Sequence, residues 1–253
     1  MKILNSLYVL VAIMLLASCG KDGGGLESAG FGGGATGAGG SMARFTIVGN
    51  YMYAVDEQNL RVYNLNNPTT PVLSNTVPIG FSIETIYPYQ DKLFIGSTSV
   101  MYIYSIANPE QPTRLGVGIS PQVMRRCDPV IARDTVAYAT LRTNGACGGT
   151  QSILSIFNIK TPTNPVQVST RNVQEPYGLG FADTCLYVCD RQGLNVFSIA
   201  KAYQPVYLNK LLPTQWFYDV IPYNSTLICW VNDGLILYNI ANPANPIYLT
   251  KII

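Results

Sequence analysis

The chain of 253 residues contains no histidine. This absence excludes the Ser–His–Asp and Cys–His nucleophile systems, because both need an imidazole as general base. Charge is also scarce, since Asp, Glu, Lys and Arg make up 12% of the residues and the net charge is +2 without any basic run. Such a weak field does not indicate nucleic acid or an anionic membrane surface as a partner.

Helical and nucleotide-binding signals are lacking as well. Beyond the N-terminus, no stretch keeps a 3.6-residue apolar period between capping residues. No glycine-rich phosphate-binding motif follows a strand into a helix, and no acidic loop suits calcium. We therefore expect no cofactor and no metal.

What the sequence does contain is one short phrase that occurs five times. The phrase starts at Leu60 and returns after 41, 53, 40 and 41 residues, and each copy is followed by a turn that ends in proline. A fixed period of this size indicates a repeat architecture. The five copies are Leu60–Leu65, Met101–Ile106, Leu154–Ile159, Leu194–Ile199 and Leu235–Ile240.

Each repeat has the composition of a small β-sheet. Alternating apolar residues, rich in β-branched and aromatic side chains, are separated by turn residues. The first copy predicts strands at Phe45–Val48, Tyr51–Val55, Leu60–Leu65 and Pro71–Val77. Four strands in about 40 residues match one propeller blade, and blades must stack to bury both faces.

The sequence therefore predicts an all-β fold, a five-bladed β-propeller of four-stranded antiparallel blades over residues 41–253. The first copy begins with its own inner strand and the last ends with its own outer strand. We expect the ring to close by packing of blade faces, without a strand exchanged between the chain ends. A β-sandwich is the alternative, but it would not require a 41-residue period.

The N-terminus is predicted to be a targeting segment, not part of the fold. An apolar run, Leu7–Ala17, leads into Leu16-Ala-Ser-Cys19-Gly20, the pattern of a bacterial lipoprotein signal. Residues 1–19 would be the signal, and acylated Cys19 would become the first mature residue and attach the protein to the membrane through lipid. A plain secretory signal is the alternative. Residues 20–40, rich in glycine, would form a flexible tether.

An exported chain can form disulfides, and five cysteines remain after Cys19. Cys127 precedes the inner strand of the third copy, and Cys147 lies in its loop between strands two and three. These sites share one end of a blade, so the sequence predicts a Cys127–Cys147 disulfide, with two free thiols as the alternative. Cys185 and Cys189 lie on one strand, too far apart to pair. With Cys229 they are expected to be buried as small apolar side chains.

The copies resemble the LVIVD repeat β-propeller lipoproteins of Bacteroidetes. The resemblance rests on Gly49-Asn-Tyr-Met-Tyr-Ala-Val55 and on Asn-Pro-x-x-Pro turns such as Asn242–Pro246. It implies a propeller at the cell envelope and supplies no activity, so no catalytic residue is inferred from it. The family's aspartate after the third strand is replaced here by residues able to make the same turn bond: Asn64, Ser105, Asn158, Ser198 and Asn239.

Propellers usually bind ligands at the mouth where inner strands begin. The aligned copies place Ala43, Glu84, Asp128, Tyr177 and Tyr218 at one equivalent entry position. Aromatic rings, carboxylates and arginines suit a sugar, a peptide or a small polar ligand. The alternative is that the aspartates cap turns and the aromatic residues only pack. The predicted mouth comprises Glu84, Asp128, Tyr177, Asp190, Arg191, Trp216, Tyr218, Asp219 and Trp230, with Arg142 and Asn232 nearby.

We expect this protein to be a binding or scaffold module for an unidentified envelope protein or glycan. Its location would be the bacterial outer membrane, facing the periplasm or the cell surface. A glycosidase-like hydrolase with Glu84 and Asp128 as its carboxylate pair is the alternative, since that chemistry needs two carboxyl groups about 5–10 Å apart. A passive structural lipoprotein is the third possibility.

Overall fold

The computed structural model describes residues 39–98, 100–121, 129–142 and 152–253. These residues form twenty β-strands, and no helix among them is long and apolar enough to cross a bilayer. The strands are β1 (Phe45–Val48), β2 (Tyr51–Val55), β3 (Asn59–Asn64), β4 (Val72–Pro78), β5 (Ile83–Tyr89), β6 (Lys92–Ser97), β7 (Val100–Ser105), β8 (Thr113–Ile119), β9 (Val130–Arg133), β10 (Val136–Leu141), β11 (Ser152–Asn158), β12 (Val166–Val173), β13 (Pro176–Ala182), β14 (Cys185–Asp190), β15 (Gly193–Ser198), β16 (Val206–Leu211), β17 (Phe217–Tyr223), β18 (Thr226–Val231), β19 (Gly234–Asn239) and β20 (Ile247–Ile252).

Each run of four consecutive strands forms one antiparallel sheet, so the protein is a β-propeller of five blades. The blades are β1–β4, β5–β8, β9–β12, β13–β16 and β17–β20, and the first strand of each lies innermost. The predicted fold is confirmed, as is the absence of strand exchange in these sheets. The predicted third and fourth strands of the first blade differ from β3 and β4 by one residue at each end.

Several sequence predictions fall outside the described residues. They are the signal over 1–19 with Cys19, the tether except for its last two residues, the two cysteines predicted to pair, Cys127 and Cys147, and Asp128 of the mouth. They remain predictions.

The turn between the first two strands repeats one backbone geometry in all five blades. A residue with φ near +50° occupies the same place each time, a conformation that glycine, asparagine and aspartate tolerate best. In the third blade this residue is Asp134. The five residues are Gly49 (59°), Gln90 (54°), Asp134 (54°), Asp183 (48°) and Asn224 (52°).

The polar residue after each third strand forms the predicted turn bond. In every blade its side-chain oxygen accepts a hydrogen bond from the backbone N–H two residues later, which holds the chain in the turn before the outer strand. The expectation that these five residues form this hydrogen bond is therefore confirmed. The accepting residues and distances are Asn64 (2.8 Å), Ser105 (3.2 Å), Asn158 (2.9 Å), Ser198 (3.4 Å) and Asn239 (2.8 Å).

Buried apolar clusters join the first blade to the second, the second to the third, the third to the fourth, and the fourth to the fifth. The cluster between the last two blades contains Cys185, Cys189 and Cys229, all buried and free, so their predicted role as apolar core residues is confirmed. Burial also raises the pKa of the Cys189 thiol well above its usual value. A thiol held neutral in this way packs as an apolar group.

Tyrosines on second strands reinforce three of these junctions. Tyr53, Tyr138 and Tyr187 are buried. The hydroxyl of each donates a hydrogen bond to a backbone carbonyl in the next blade, in the turn that ends in proline. The ring of each tyrosine packs in the core while its hydroxyl finds a polar partner at the edge, as buried tyrosines require. The accepting carbonyls are those of Pro109 at 3.0 Å, Ala202 at 2.9 Å and Pro243 at 2.8 Å.

The junction of the fifth blade with the first is different. Within the part of the chain that the structure describes, none of the four apolar clusters contains residues from both blades. The expectation that face packing alone closes the ring therefore needs correction, because hydrogen bonds from the N-terminal segment also contribute there, as described next.

Candidate functional site

The segment that precedes β1 crosses the mouth and binds the inner strands of other blades. Ser41 is buried; its hydroxyl donates to Asp219 Oδ1 on β17 at 3.1 Å and accepts from the Leu179 N–H on β13 at 2.7 Å. The Met42 N–H donates to Asp219 Oδ2 at 3.3 Å. The Ile86 N–H on β5 donates to the Ala43 carbonyl at 2.9 Å. We call Ser41–Arg44 the latch, because it connects the second, fourth and fifth blades.

Asp219 is the fifth-blade partner of the latch. Burial raises its pKa to about 6 from the usual 3.8, while hydrogen bonds from Val220, Met42 and Ser41 lower it in part. No cation is among the groups that shift it. The sequence placed Asp219 in a ligand-binding mouth, but the structure uses its carboxylate to hold the N-terminal segment.

Aromatic and arginine side chains from three blades form a continuous arc at the same mouth. Tyr177 and Tyr218 are the second residues of β13 and β17, Trp216 directly precedes β17, and Trp230 lies near the end of β18. Ring centroids are 5.8 Å apart for Tyr177 and Trp216, and 5.6 Å for Tyr177 and Tyr218. They are 5.3 Å apart for Trp216 and Tyr218, and 4.8 Å for Tyr218 and Trp230.

Two arginines cover faces of this arc. The guanidinium carbon of Arg142, just after β10, lies 4.1 Å from the centroid of Tyr177. That of Arg191, just after β14, lies 4.5 Å from the centroid of Trp216. Both distances are within the range of cation–π attraction. We call the six residues Arg142, Tyr177, Arg191, Trp216, Tyr218 and Trp230 the aromatic–arginine arc.

The charges around the arc are mostly paired. Arg191 Nη1 lies 3.1 Å from Glu175 Oε2. Lys210 Nζ lies 3.6 Å from Asp190 Oδ2. Arg142 is in no ion pair with any carboxylate of the described residues.

Asp190, predicted for the mouth, is 1% exposed and works within its own blade. It accepts hydrogen bonds from the Gln192 N–H at 3.0 Å and from the Asn195 amide at 3.2 Å. With Lys210 as its ion-pair partner, its buried carboxylate serves to hold the turn of its own blade. We therefore leave Asp190 out of the candidate site.

Two buried donors at the arc have no hydrogen-bond partner among the described residues. They are Nε of Arg142 and Nε1 of Trp216. A buried donor left unpaired costs about 1–3 kcal/mol, so native proteins seldom leave one unless a ligand or water completes it. Both donors belong to residues of the aromatic–arginine arc.

Glu84 lies beside the latch residues Met42 and Arg44. It lines an open cavity of about 670 Å³ together with Met42, Arg44, Glu57, Ser82, Ile83, Thr85 and Thr98. Arg44 Nη2 donates to the Ile83 carbonyl at 3.1 Å, so the latch forms part of the cavity wall. Because Asp128 lies outside the described residues, the carboxylate pair of a hydrolase stays a prediction. No cluster of three metal-ligating side chains occurs among the described residues.

Sequence reasoning brought five of the arc residues into one predicted mouth and mentioned Arg142 as a neighbour. It missed Ser41 and Glu175. Ser41 directly follows the predicted tether, and nothing in its sequence neighbourhood indicates a partner far along the chain. Glu175 directly precedes β13, and Arg191 directly follows β14. Because these two strands form a hairpin, both residues lie at the same end of it, and this placement could have suggested the ion pair.

Comparison with known proteins gives a fold but no family. No protein-family model matches the sequence, and no curated protein sequence matches it. The structure is similar to the periplasmic gluconolactonase PpgL of Pseudomonas aeruginosa, with 13% identity and a TM-score of 0.61 over 81% of this chain and 67% of that one. It is similar to a functionally unknown protein from Desulfotomaculum acetoxidans, with 12% identity and a TM-score of 0.61 over 80% of this chain and 68% of that one.

A third similar structure is PorZ, a bacterial surface component of the type-IX secretion system of Porphyromonas gingivalis. The identity is 12% and the TM-score 0.58, over 80% of this chain and 32% of that one. The chain thus spans between about a third and about two thirds of these three proteins. At such low identities the likeness shows the β-propeller fold alone.

Proposed function

We propose that this protein is an envelope lipoprotein of the LVIVD type, and that it binds a glycan through the aromatic–arginine arc. The observation that carries the proposal is an arc of four mutually contacting aromatic rings at one mouth, two of which each lie against a guanidinium group, with side chains contributed by three blades. Aromatic faces beside a few polar donors are the usual lining of a small-ligand site.

The size of the arc favours a narrow ligand. A stable protein–protein interface occupies about 800 Å² and 20–30 residues on each partner. The arc has six residues, of which Trp230 is 51% exposed while Tyr177, Trp216 and Tyr218 are partly buried. A strip of this width matches a chain of a few sugar rings better than a protein surface, although tryptophan, tyrosine and arginine also dominate protein hot spots.

The location rests on the signal pattern that ends in Cys19. Two of the similar propellers are a periplasmic protein and a bacterial surface component, which supports an envelope location for this one. In this proposal Cys19 carries the lipid and Cys127 pairs with Cys147. Mass spectrometry of the protein from its native membrane tests both: acyl groups on Cys19, and a mass two hydrogens lower than that of the reduced form.

Glycan binding is tested with the full-length protein, purified in detergent, on an array of bacterial and host oligosaccharides. We expect a defined subset to bind, and Trp230→Ala and Tyr218→Ala to weaken that binding at least tenfold. Tyr223→Ala is the matched control, because Tyr223 is also on β17, is 55% exposed and lies at the opposite end of the strand. All three variants should keep the circular dichroism spectrum of the wild type.

Two results would contradict the proposal. The first is that no oligosaccharide on the array binds, whereas a defined envelope protein binds the wild type and binds the Trp230→Ala variant more weakly. The other is saccharide binding that Trp230→Ala and Tyr218→Ala leave as strong as in Tyr223→Ala.

A further inference from the structure

We propose that the aromatic–arginine arc selects saccharides that carry a carboxylate, and that the guanidinium of Arg142 binds that group. The inference rests on the proposed glycan-binding function and narrows its ligand to the acidic sugars, such as uronic acids. Two observations support it: the positive charge of Arg142 has no acidic partner among the described residues, and the N–H donors of Arg142 Nε and Trp216 Nε1 are buried without a hydrogen-bond partner there.

Arg142 is the cation of this site that lacks an acidic partner among the described residues. Arg191 is neutralised by Glu175 at 3.1 Å, and Lys210 by the buried Asp190 at 3.6 Å. Asp219 is bound by the latch through Ser41 and Met42. A ligand that supplied one negative charge would therefore complete the charge pairing of the arc.

The guanidinium of Arg142 lies over the ring of Tyr177. Its central carbon is 4.1 Å from the ring centroid, so the ring covers one side of the guanidinium and limits its movement. Its Nε is buried without a partner among the described residues. Nε and a neighbouring Nη form one edge of the group, which pairs side-on with the two oxygens of a carboxylate.

The indole of Trp216 supplies the second donor. Its Nε1 is buried and has no described partner, and its ring lies 5.8 Å from that of Tyr177, which is the ring beneath Arg142. One free cation and one neutral donor suit a singly charged carboxylate. A phosphate, which carries nearly two charges, would leave part of its charge unpaired. The exposed face of Trp230 remains available for the rest of the sugar chain.

The test measures binding of three sets of probes to the full-length protein by calorimetry. The probes are tetrasaccharides of galacturonate, of mannuronate and of glucuronate, their methyl esters, and neutral tetrasaccharides of galactose, mannose and glucose. At least one acid should bind about tenfold to a hundredfold tighter than its methyl ester, the range expected for a hydrogen bond to a charged group. Methylation removes the charge and keeps the sugar ring.

Three variants assign the residues. Arg142→Gln should abolish the preference for the acid over its ester while it retains the affinity for the ester. Trp216→Phe, which removes the N–H and keeps an aromatic ring, should reduce the affinity for the acid about threefold to tenfold. Arg133→Gln is the matched control, since the Arg133 guanidinium also lies over an aromatic ring, 4.6 Å from the centroid of Phe181, but outside the arc, and it should keep the preference.

Equal binding of acids and esters, or a preference that survives in Arg142→Gln, overturns the inference. Binding of the neutral tetrasaccharides alone also overturns it but leaves the proposed glycan-binding function intact. If no saccharide of any set binds, this inference fails, and the wider oligosaccharide array decides whether the proposed function fails with it.

Discussion

Ser41 and Asp219 lie 178 positions apart and are joined by a 3.1 Å hydrogen bond across the mouth of the propeller. The same serine hydroxyl accepts a 2.7 Å bond from the backbone of Leu179, so one small side chain connects the fourth and fifth blades to the start of the first. This contact lies where the apolar clusters do not join the fifth blade to the first. It makes the N-terminal segment part of the folded ring.

Ser41→Ala should therefore destabilise the protein. The substitution removes a donor to Asp219 and leaves the buried Leu179 N–H without its acceptor, and such a loss costs about 1–3 kcal/mol. Equilibrium unfolding in urea would measure the decrease. Ser225→Ala, at an exposed turn serine, is the control and should stay within about 0.5 kcal/mol of the wild type. Equal stabilities for the two variants would mean that the latch does not close the ring.

The repeat was readable from the sequence because it is local. Positions such as Asn64 and Asn239 recur at a fixed offset from an apolar strand, and the turn bond that each forms involves a backbone group two residues away. Periodicity therefore predicted the blades, their strands and these turns. The contact of Ser41 with Asp219 has no periodic counterpart, since it depends on how the ring brings the two ends of the chain together.

Asp219 gives the latch a pH dependence. Burial raises its pKa in the folded state to about 6, above the usual 3.8. The stability that its proton contributes is complete below about pH 4 and is lost as the pH rises through about 6. The loss amounts to about 3 kcal/mol at most, since each pKa unit corresponds to about 1.4 kcal/mol.

Asp219→Asn should remove this component. The free energy of unfolding, measured at intervals from pH 4 to pH 8, should fall less steeply for the variant than for the wild type between pH 4 and pH 7. Asp183→Asn, at an exposed turn, should follow the wild-type curve. If the unfolding free energy of the wild type does not change over this pH range, or if Asp219→Asn gives the same pH dependence, the carboxylate is not desolvated in solution.

Gly178 on β13 allows the close approach of the fourth and fifth blades. A Cβ at this position would lie 2.9 Å from the Cα of Asp219, and backbone atoms cannot move aside as a flexible side chain can. Gly178→Ala should therefore separate β13 from β17 and destabilise the protein by about 1–3 kcal/mol. Gly39→Ala is the control, since its Cβ would meet its nearest neighbour at an ordinary 3.4 Å.

Thermal unfolding followed by circular dichroism would compare the two glycine variants. A midpoint for Gly178→Ala as high as that for Gly39→Ala would contradict the close approach. Because Gly178 is also next to Tyr177, the same variant should lower binding of the glycan probes, and this second effect should be absent in Gly39→Ala.

The candidate site was only partly predictable for a related reason. The aligned entry position correctly grouped Tyr177 with Tyr218, because equivalent places in successive blades face the same mouth. The alignment could not tell a free carboxylate from one already bonded, so Asp190 and Asp219 entered the predicted mouth beside the aromatic residues. Hydrogen-bond partners such as Asn195 and Ser41, which decide that question, are set by packing and side-chain rotamers.

The interblade tyrosines provide the last prediction. Tyr138 and Tyr187 donate to Ala202 and Pro243, carbonyls in two different blade junctions. Tyr138→Phe and Tyr187→Phe should each lower the free energy of unfolding by about 1 kcal/mol, the usual contribution of one hydrogen bond, while the rings stay packed. Since the two bonds share no partner, the double variant should lose the sum within about 0.5 kcal/mol.

Tyr223→Phe is the control for this series, because Tyr223 is 55% exposed and should lose nothing measurable. Urea unfolding gives the free energy of unfolding of the two single variants, the double variant and the control, provided that the transitions have equal slopes. If the double variant loses much more unfolding free energy than the sum of the two single losses, the two hydrogen bonds are energetically coupled through the blades. Single variants as stable as Tyr223→Phe would mean instead that the apolar clusters alone hold these junctions together.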